Sequence, residues 1–274
     1  DKIAGINAPD HHCENIDLKG ATVIPGFVDA HFHLVNLGKQ QDALQLKGCT
    51  SASEIADLVL DKSRDMKEAD WIFGFGWDHS RWYENKFPDE NVLNELRLKQ
   101  PVMLTRIDGH CCWVNNVAME MAGLNIEANP PDGGEIINNC ILLDNAMTLV
   151  KQLIPKSDAT MIEKWIKLAL DIIIKRGITN IHDAWQEPMT IDVIKNLEQI
   201  NALPIRIYGM LGSSYNKLLD TFFNNGIYKS SRYTIRSVKA FIDGALGSRG
   251  AALLEPYSDD TNNCGLILIS SKKY

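Results

Sequence analysis

Residues 27–35 read FVDAHFHLV, and two histidines spaced two apart close the apolar run. Neutral imidazoles presented side by side are ligands for Zn²⁺ or a similar borderline divalent ion. Alternate side chains of a strand share a face, so Phe27, Asp29, His31 and His33 point one way. Val28, Ala30, Phe32 and Leu34 point the other way and suit a surface packed under helices. The first set gathers two imidazoles near the strand's C-terminal end. Two partly buried histidines bonded to backbone or water would also leave an H-x-H pattern, so the pair alone does not establish a metal.

The same parity applied to 233–243 places Ile235, Ser237, Lys239, Phe241 and Asp243 on one face. Val238, Ala240 and Ile242 fall on the other, which suits it to lie under helices. Lys239 is then expected to project inward, midway along a central strand. An unpaired ammonium is costly to bury, so such a lysine is neutralised, paired or modified. Carboxylation by CO₂ would make it an anionic oxygen donor able to bridge two metal ions. An ion pair with Asp243 or Asp29 would satisfy it equally well.

The elements that position these groups follow from periodicity. ATVIPGFVDAHFHL (21–34) reads as a strand with a Pro-Gly interruption. Ser51 and Glu54 form an S-x-x-E capping box, which predicts a helix over 52–67. DWIFGFGWD (70–78) has strand period with one aromatic face, and PVMLTRID (101–108) is another strand. DENVLNELRLK predicts a short helix, and PPDGGEIINN (130–139) a loop or hairpin. From Ser157, a plausible N-cap, a helix runs to Gly177. Strand 178–184, helix 190–201, strand 204–211, helix 214–224 and strand 233–243 follow. Strands alternating with helices imply parallel βαβ units, here half of a (β/α)₈ TIM-like barrel. Residues 40–156 are then an α+β insertion after the first barrel strand.

Bulk properties exclude several classes. The chain has 274 residues, 45% hydrophobic and 23% charged, as in ordinary globular enzymes. A net charge of −7 without a basic run argues against nucleic acid. The apolar stretch WIKLALDIII (165–174) is too short to span a bilayer. Six cysteines without a C-x-x-C pair suit reduced thiols rather than a disulfide framework. The opening DKIAGINAPD carries no secretory signal, so a cytoplasmic location is expected. Cys111 and Cys112 lack an activating base, which leaves little for a thiol chemistry.

Taken together, IDLKGATVIPGFVDAHFHL, GFGWDHSRW (74–82), RIDGHCCWVNNVAMEMAGL (106–124), GITNIHDA (177–184) and VKAFIDGALGSRGAALLEPYSD (238–259) resemble the amidohydrolase superfamily. More narrowly, they are similar to amidohydrolase family 3, the YtcJ-like metal-dependent hydrolases. The resemblance implies a metal-dependent hydrolase acting on C–N bonds of a non-peptide, amide-like small molecule. The fold it implies is α/β: a distorted barrel joined to a small β-sandwich, of which residues 1–20 would be the remnant and 21–274 the partial barrel. His31 and His33 would bind one or two divalent ions, with Lys239 at the place of the superfamily's carboxylated lysine. His110, Trp77, Asp78, Asp243 and Arg249 are candidates for substrate contact, each with a structural alternative: core for Trp77, and bracing of the DGALGSRG turn for Asp243 and Arg249. His182 falls outside the usual ligand set. The superfamily's later histidines and its proton-accepting Asp have no counterpart after residue 243, so a truncated enzyme is expected. The competing expectation is a catalytically incomplete metal-binding or scaffold module. Open parallel edges of a half barrel also invite a partner copy, making a homo-oligomer one expected association.

Overall fold

The structure is a computed structural model that describes Gly5, Glu14 and residues 16–124, 130–131, 133–244, 246, 250–265 and 267. The chain enters strand β1 (Phe27–Phe32) and turns into helix α1 (Leu34–Asp42). There follow β2 (Leu44–Gln45), α2 (Ala52–Ser63), β3 (Ile72–Trp77), α3 (Glu90–Asn94), β4 (Val102–Arg106) and β5 (Cys111–Val114). Next come α4 (Asn116–Met121), β6 (Gly134–Ile137), β7 (Ile141–Asp144) and α5 (Met147–Lys151). The last part runs α6 (Ala159–Lys175), β8 (Ile178–Gln186), α7 (Pro188–Gln199), β9 (Arg206–Gly212), α8 (Asn216–Asn225), β10 (Tyr228–Lys229) and β11 (Tyr233–Lys239).

Two sheets result. One is five-stranded in the order β1-β8-β9-β11-β10, and the other six-stranded in the order β2-β3-β4-β5-β7-β6. In the first, β1, β8, β9 and β11 are parallel neighbours in chain order, and β10 adds an antiparallel hairpin strand. This is a mixed α/β fold, and among the described residues the first sheet stays open rather than closing into a barrel. Of the expected sandwich remnant, the described residues 16–20 form no strand, and most of 1–15 lies outside the described residues.

Local chemistry sets the boundaries. Ser51 Oγ accepts the Glu54 N–H at 3.2 Å, while the Glu54 carboxylate takes the Thr50 N–H at 2.7 Å. Helix α6 starts one residue later than expected, because Asp158 rather than Ser157 accepts the Met161 N–H, at 2.8 Å. Asn138 and Asn139 both take φ near +50°, the conformation of a tight hairpin turn between β6 and β7. Strand 21–34 shrinks to Phe27–Phe32: Pro25 lacks an N–H for a ladder, and residues 21–26 are exposed.

Helix α6 buries Ile162, Trp165, Ile166, Ala169, Leu170 and Ile173, a stripe at helical spacing. With Ile181, Ile207, Leu211, Tyr233 and Ile235 from the strands it forms the core on the helix-covered face of the first sheet. Helix α1 lies on α6 at Gly38, where any Cβ would run into the Trp165 carbonyl. The second sheet is buried on both faces. Ile72, Leu104, Trp113 and Ile141 face one cluster, and Met103, Cys112, Val114 and Leu142 the other.

Candidate functional site

Among the described residues, strand β1 is the edge of the first sheet and pairs with β8 alone. Phe32 and Leu34 turn into the helix-side core, while His31 and His33 are exposed. The two imidazoles lie together, ring centroids 5.3 Å apart and edge to face. Strict alternation is nevertheless broken upstream. Asp29 pairs with Ile181 and Phe32 with Asp183, so β1 carries a bulge, within which Asp29 accepts the His31 N–H at 3.1 Å.

Strand β8 orients this pair. His33 Nδ1 donates to the Ala184 carbonyl at 2.9 Å. A carbonyl only accepts, so Nδ1 is the donor, and in the neutral ring it is Nε2 that carries the lone pair. That is the arrangement of a metal-ligating histidine, whose second nitrogen is fixed by a backbone acceptor. Asp183 accepts the Leu34 N–H at 2.8 Å, serving as the cap that the start of α1 otherwise lacks. Its other oxygen accepts the Gln186 amide at 2.8 Å, and the Tyr233 hydroxyl donates to Gln186 Oε1. Burial pushes the Asp183 carboxyl up to about 6, against the pull of its two hydrogen bonds. Burial and the nearby Asp183 charge also hold the Tyr233 phenol well above its ordinary value. Asp183 and Gln186 were missed from sequence. A lone acid inside the apolar strand ITNIHDA was the available signal for Asp183, and nothing marked Gln186.

Lys239 ends β11 and pairs with Gly212. It is the strand's last residue and half-buried, not midway along a covered strand. A bulge at Arg236 interrupts the expected parity. Ile235 pairs with Gly209 and enters the helix-side core, whereas Ser237 pairs with Met210. Val238 and Ile242, expected under helices, are exposed: neither joins the helix-side core, and β11 ends at Lys239, before Ile242. The Lys239 ammonium rests 5.0 Å from the Phe241 ring centroid. Strands β8 and β9 separate it from β1, about 14 Å along a flat sheet. Among the described residues, no three His, Cys, Asp or Glu side chains gather into a group that could hold a metal.

The remaining candidates have structural partners. Trp77 is fully buried among Trp82, Phe87 and Trp113, and its indole N–H donates to the Leu104 carbonyl at 2.8 Å. Asp78 caps the turn at His79–Arg81 and pairs with Arg106 at 3.1 Å. The Ser80 hydroxyl, together with the backbone and Arg106, holds the Asp78 carboxyl below its ordinary range. His110 is exposed, its Nδ1 2.9 Å from Asp144 Oδ1. Asp243 accepts the Ala252 N–H at 3.0 Å and so braces the turn after β11, the structural alternative already weighed for it. Arg249 lies outside the described residues. His182 lies against Tyr208, centroids 5.0 Å apart and the rings tilted by 44°. Burial pushes the Cys111 and Cys112 thiols up to about 12, which keeps them protonated at neutral pH.

A family model described as "Amidohydrolase family" matches residues 14–273. Protein LONG AFTER FAR-RED 3 of Arabidopsis thaliana is 29% identical over 277 residues, covering 94% of this chain and 47% of its own. Putative amidohydrolase YtcJ of Bacillus subtilis is 28% identical over 265 residues, covering 92% and 49%. The chain thus spans about half the length of the curated relatives it matches. The crystal structure of an uncharacterized metal-dependent hydrolase from Pyrococcus horikoshii shares the fold, with a TM-score of 0.72 at 24% identity. That likeness covers 91% of this chain and 49% of the archaeal one. No helix among the described residues is long and apolar enough to cross a membrane.

Proposed function

Since this chain belongs to the amidohydrolase family, we propose that it forms the opening half-barrel of a metal-dependent hydrolase. The arc β1-β8-β9-β11 would be the first four strands of a (β/α)₈ barrel, with residues 40–156 inserted after the first. The substrate is a small, amide-like, non-peptide molecule cleaved at a C–N bond, a reading supported by the name of the Bacillus relative. The observation that carries it is the His31–His33 pair, with His33 locked by the Ala184 carbonyl.

The donor set fits a divalent ion such as Zn²⁺: two adjacent, exposed imidazoles, at least one with a free Nε2. A bound ion of this kind supplies an activated water and polarises the scissile carbonyl. The chain's own residues hold and aim. His31 and His33 offer nitrogen ligands, Ala184 O fixes the His33 tautomer, and Asp183 pins the backbone where β1 passes into α1. Lys239, if carboxylated by CO₂, would offer an anionic oxygen donor to a second ion; that requires its amine to leave the Phe241 ring and the sheet to curve so that β11 approaches β1. His110 is the second-sheet group free to meet substrate through Nε2. Buried thiols support a reducing, cytoplasmic location, and the bare edge of β1 supports association with a second copy or with further strands.

A second reading, a metal-binding module without catalysis, is favoured by the two-imidazole set standing without a third ligand among the described residues. Zinc uptake measured by mass spectrometry tests the site. His31→Ala and His33→Ala are expected to lose it, and Lys239→Ala to lose half of a two-ion complement. Equal metal in all four proteins would overturn the assignment. Amide hydrolysis by the full gene product separates the enzyme from the module.

A further inference from the structure

The C-terminal ends of β8, β9 and β11 carry an aromatic cluster that metal chemistry does not use. Trp185 follows Ala184, the residue whose carbonyl orients His33. Its φ is +74°, in the left-handed region, where a bulky side chain is a genuine outlier. Strand β8 bulges at this point: Ala184 pairs with Met210 and Gln186 with Leu211, so Trp185 is the extra residue. Bulges re-aim side chains, and this one turns the indole across the strand ends.

There the Trp185 ring lies 5.1 Å from Phe241, tilted by 35°, and 6.4 Å from Tyr215, inclined at 63°. Gly212 lies beneath, and a Cβ on it would come within 2.9 Å of Trp185 Cε2 and 3.0 Å of the Tyr215 ring. Trp185 and Tyr215 are half-buried, and Phe241 is exposed. Charges flank the rings. The Lys239 ammonium faces Phe241, and burial together with the nearby Glu187 carboxylate pushes the Tyr215 phenol up. A surface awaiting only more protein core would leave that ammonium and carboxylate without water. Three aromatic rings with polar groups at the margin form a surface on which a further flat ring can stack.

We propose that Trp185, Tyr215 and Phe241 form a subsite for a planar aromatic substituent of the substrate, beside the reacting amide at the histidine pair. The inference rests on the hydrolase reading and adds to it the substrate class. Strain held in a bulky residue, next to the carbonyl that aims a metal ligand, is of the kind found where function fixes geometry.

The test is equilibrium binding to the full gene product, followed by ligand-observed NMR, with benzamide and butyramide as probes. Benzamide is expected to bind about tenfold more tightly, as contact with two or three rings implies. Trp185→Ala should weaken benzamide about five- to tenfold and leave butyramide within about twofold, while Trp185→Phe restores most of the loss. Trp185→Gly lacks the ring and relieves the backbone, so it should match Trp185→Ala with the fold intact by circular dichroism. Equal binding of both probes, or benzamide binding indifferent to Trp185→Gly, would overturn the subsite. Since no turnover is needed, the two readings fail separately. An aromatic preference in a protein that hydrolyses no amide sinks the hydrolase reading alone. Hydrolysis without the preference sinks the subsite alone.

Discussion

Asp183 offers the sharpest test of how β8 supports the histidines. Burial raises its carboxyl from an ordinary 3.8 to about 6, a difference of about 3 kcal/mol between charged and neutral forms. The folded chain therefore binds a proton more tightly than the unfolded one. This group's contribution to stability is greatest below pH 4, falls as pH rises towards 6, and stays low above it. Asp183→Asn removes the charge while leaving an oxygen for the Leu34 N–H. Gln186 can then reverse its amide, and the Tyr233 hydroxyl can accept in turn. Asp183→Ala instead strands the Leu34 N–H and the Gln186 amide, at about 1–3 kcal/mol each. At pH 7 the Asn variant should be as stable as wild type or up to about 3 kcal/mol more so, and the Ala variant about 2–5 kcal/mol less. Urea unfolding of the three proteins between pH 4 and 8 measures this. The wild-type minus Asn difference should be flat above pH 6 and shift in wild type's favour below it. Asn and Ala variants of equal stability, or a difference indifferent to pH, would refute the account.

Gly38→Ala should cost about 3 kcal/mol and lower Tm by about 10 °C, because α1 must retreat from the Trp165 carbonyl; thermal denaturation reads it. A thiol reagent at pH 7.5 should modify exposed Cys264 and spare Cys111, Cys112 and Cys140, whose thiols burial pushes up to about 12, until urea unfolds the chain. Peptide mapping of the labelled protein checks both halves of that statement.

Much of the fold was legible because periodicity reports burial. The helix-side stripe of α6 and the parallel run β8, β9, β11 lie close to where spacing predicts them. Parity also placed His31 and His33 opposite Phe32 and Leu34, since those two apolar side chains have a core to enter. It failed where the ladder takes in an extra residue. Ile235 was assigned to the same face as Lys239, yet the bulge at Arg236 sends it into the core. The bulge at Trp185 likewise turns Gln186 inward onto Asp183. Neither site carries the glycine that often marks a bulge, so one-dimensional pattern gave no warning. Trp77 illustrates a different limit: an aromatic strand face reads alike whether it lines a pocket or fills a core, and here the six-stranded sheet fills it.

The connection between His33 and Ala184 spans 151 residues. During synthesis β1 leaves the ribosome long before β8, its neighbour among the described residues, exists. At roughly 5–20 residues per second, that wait lasts on the order of ten to thirty seconds. The six-stranded unit has all of its own pairing partners in hand during this interval, and can fold while β1 waits unpaired. The His33 tautomer that the Ala184 carbonyl selects is therefore acquired late. Until β8 arrives, the His33 ring has no carbonyl to aim it.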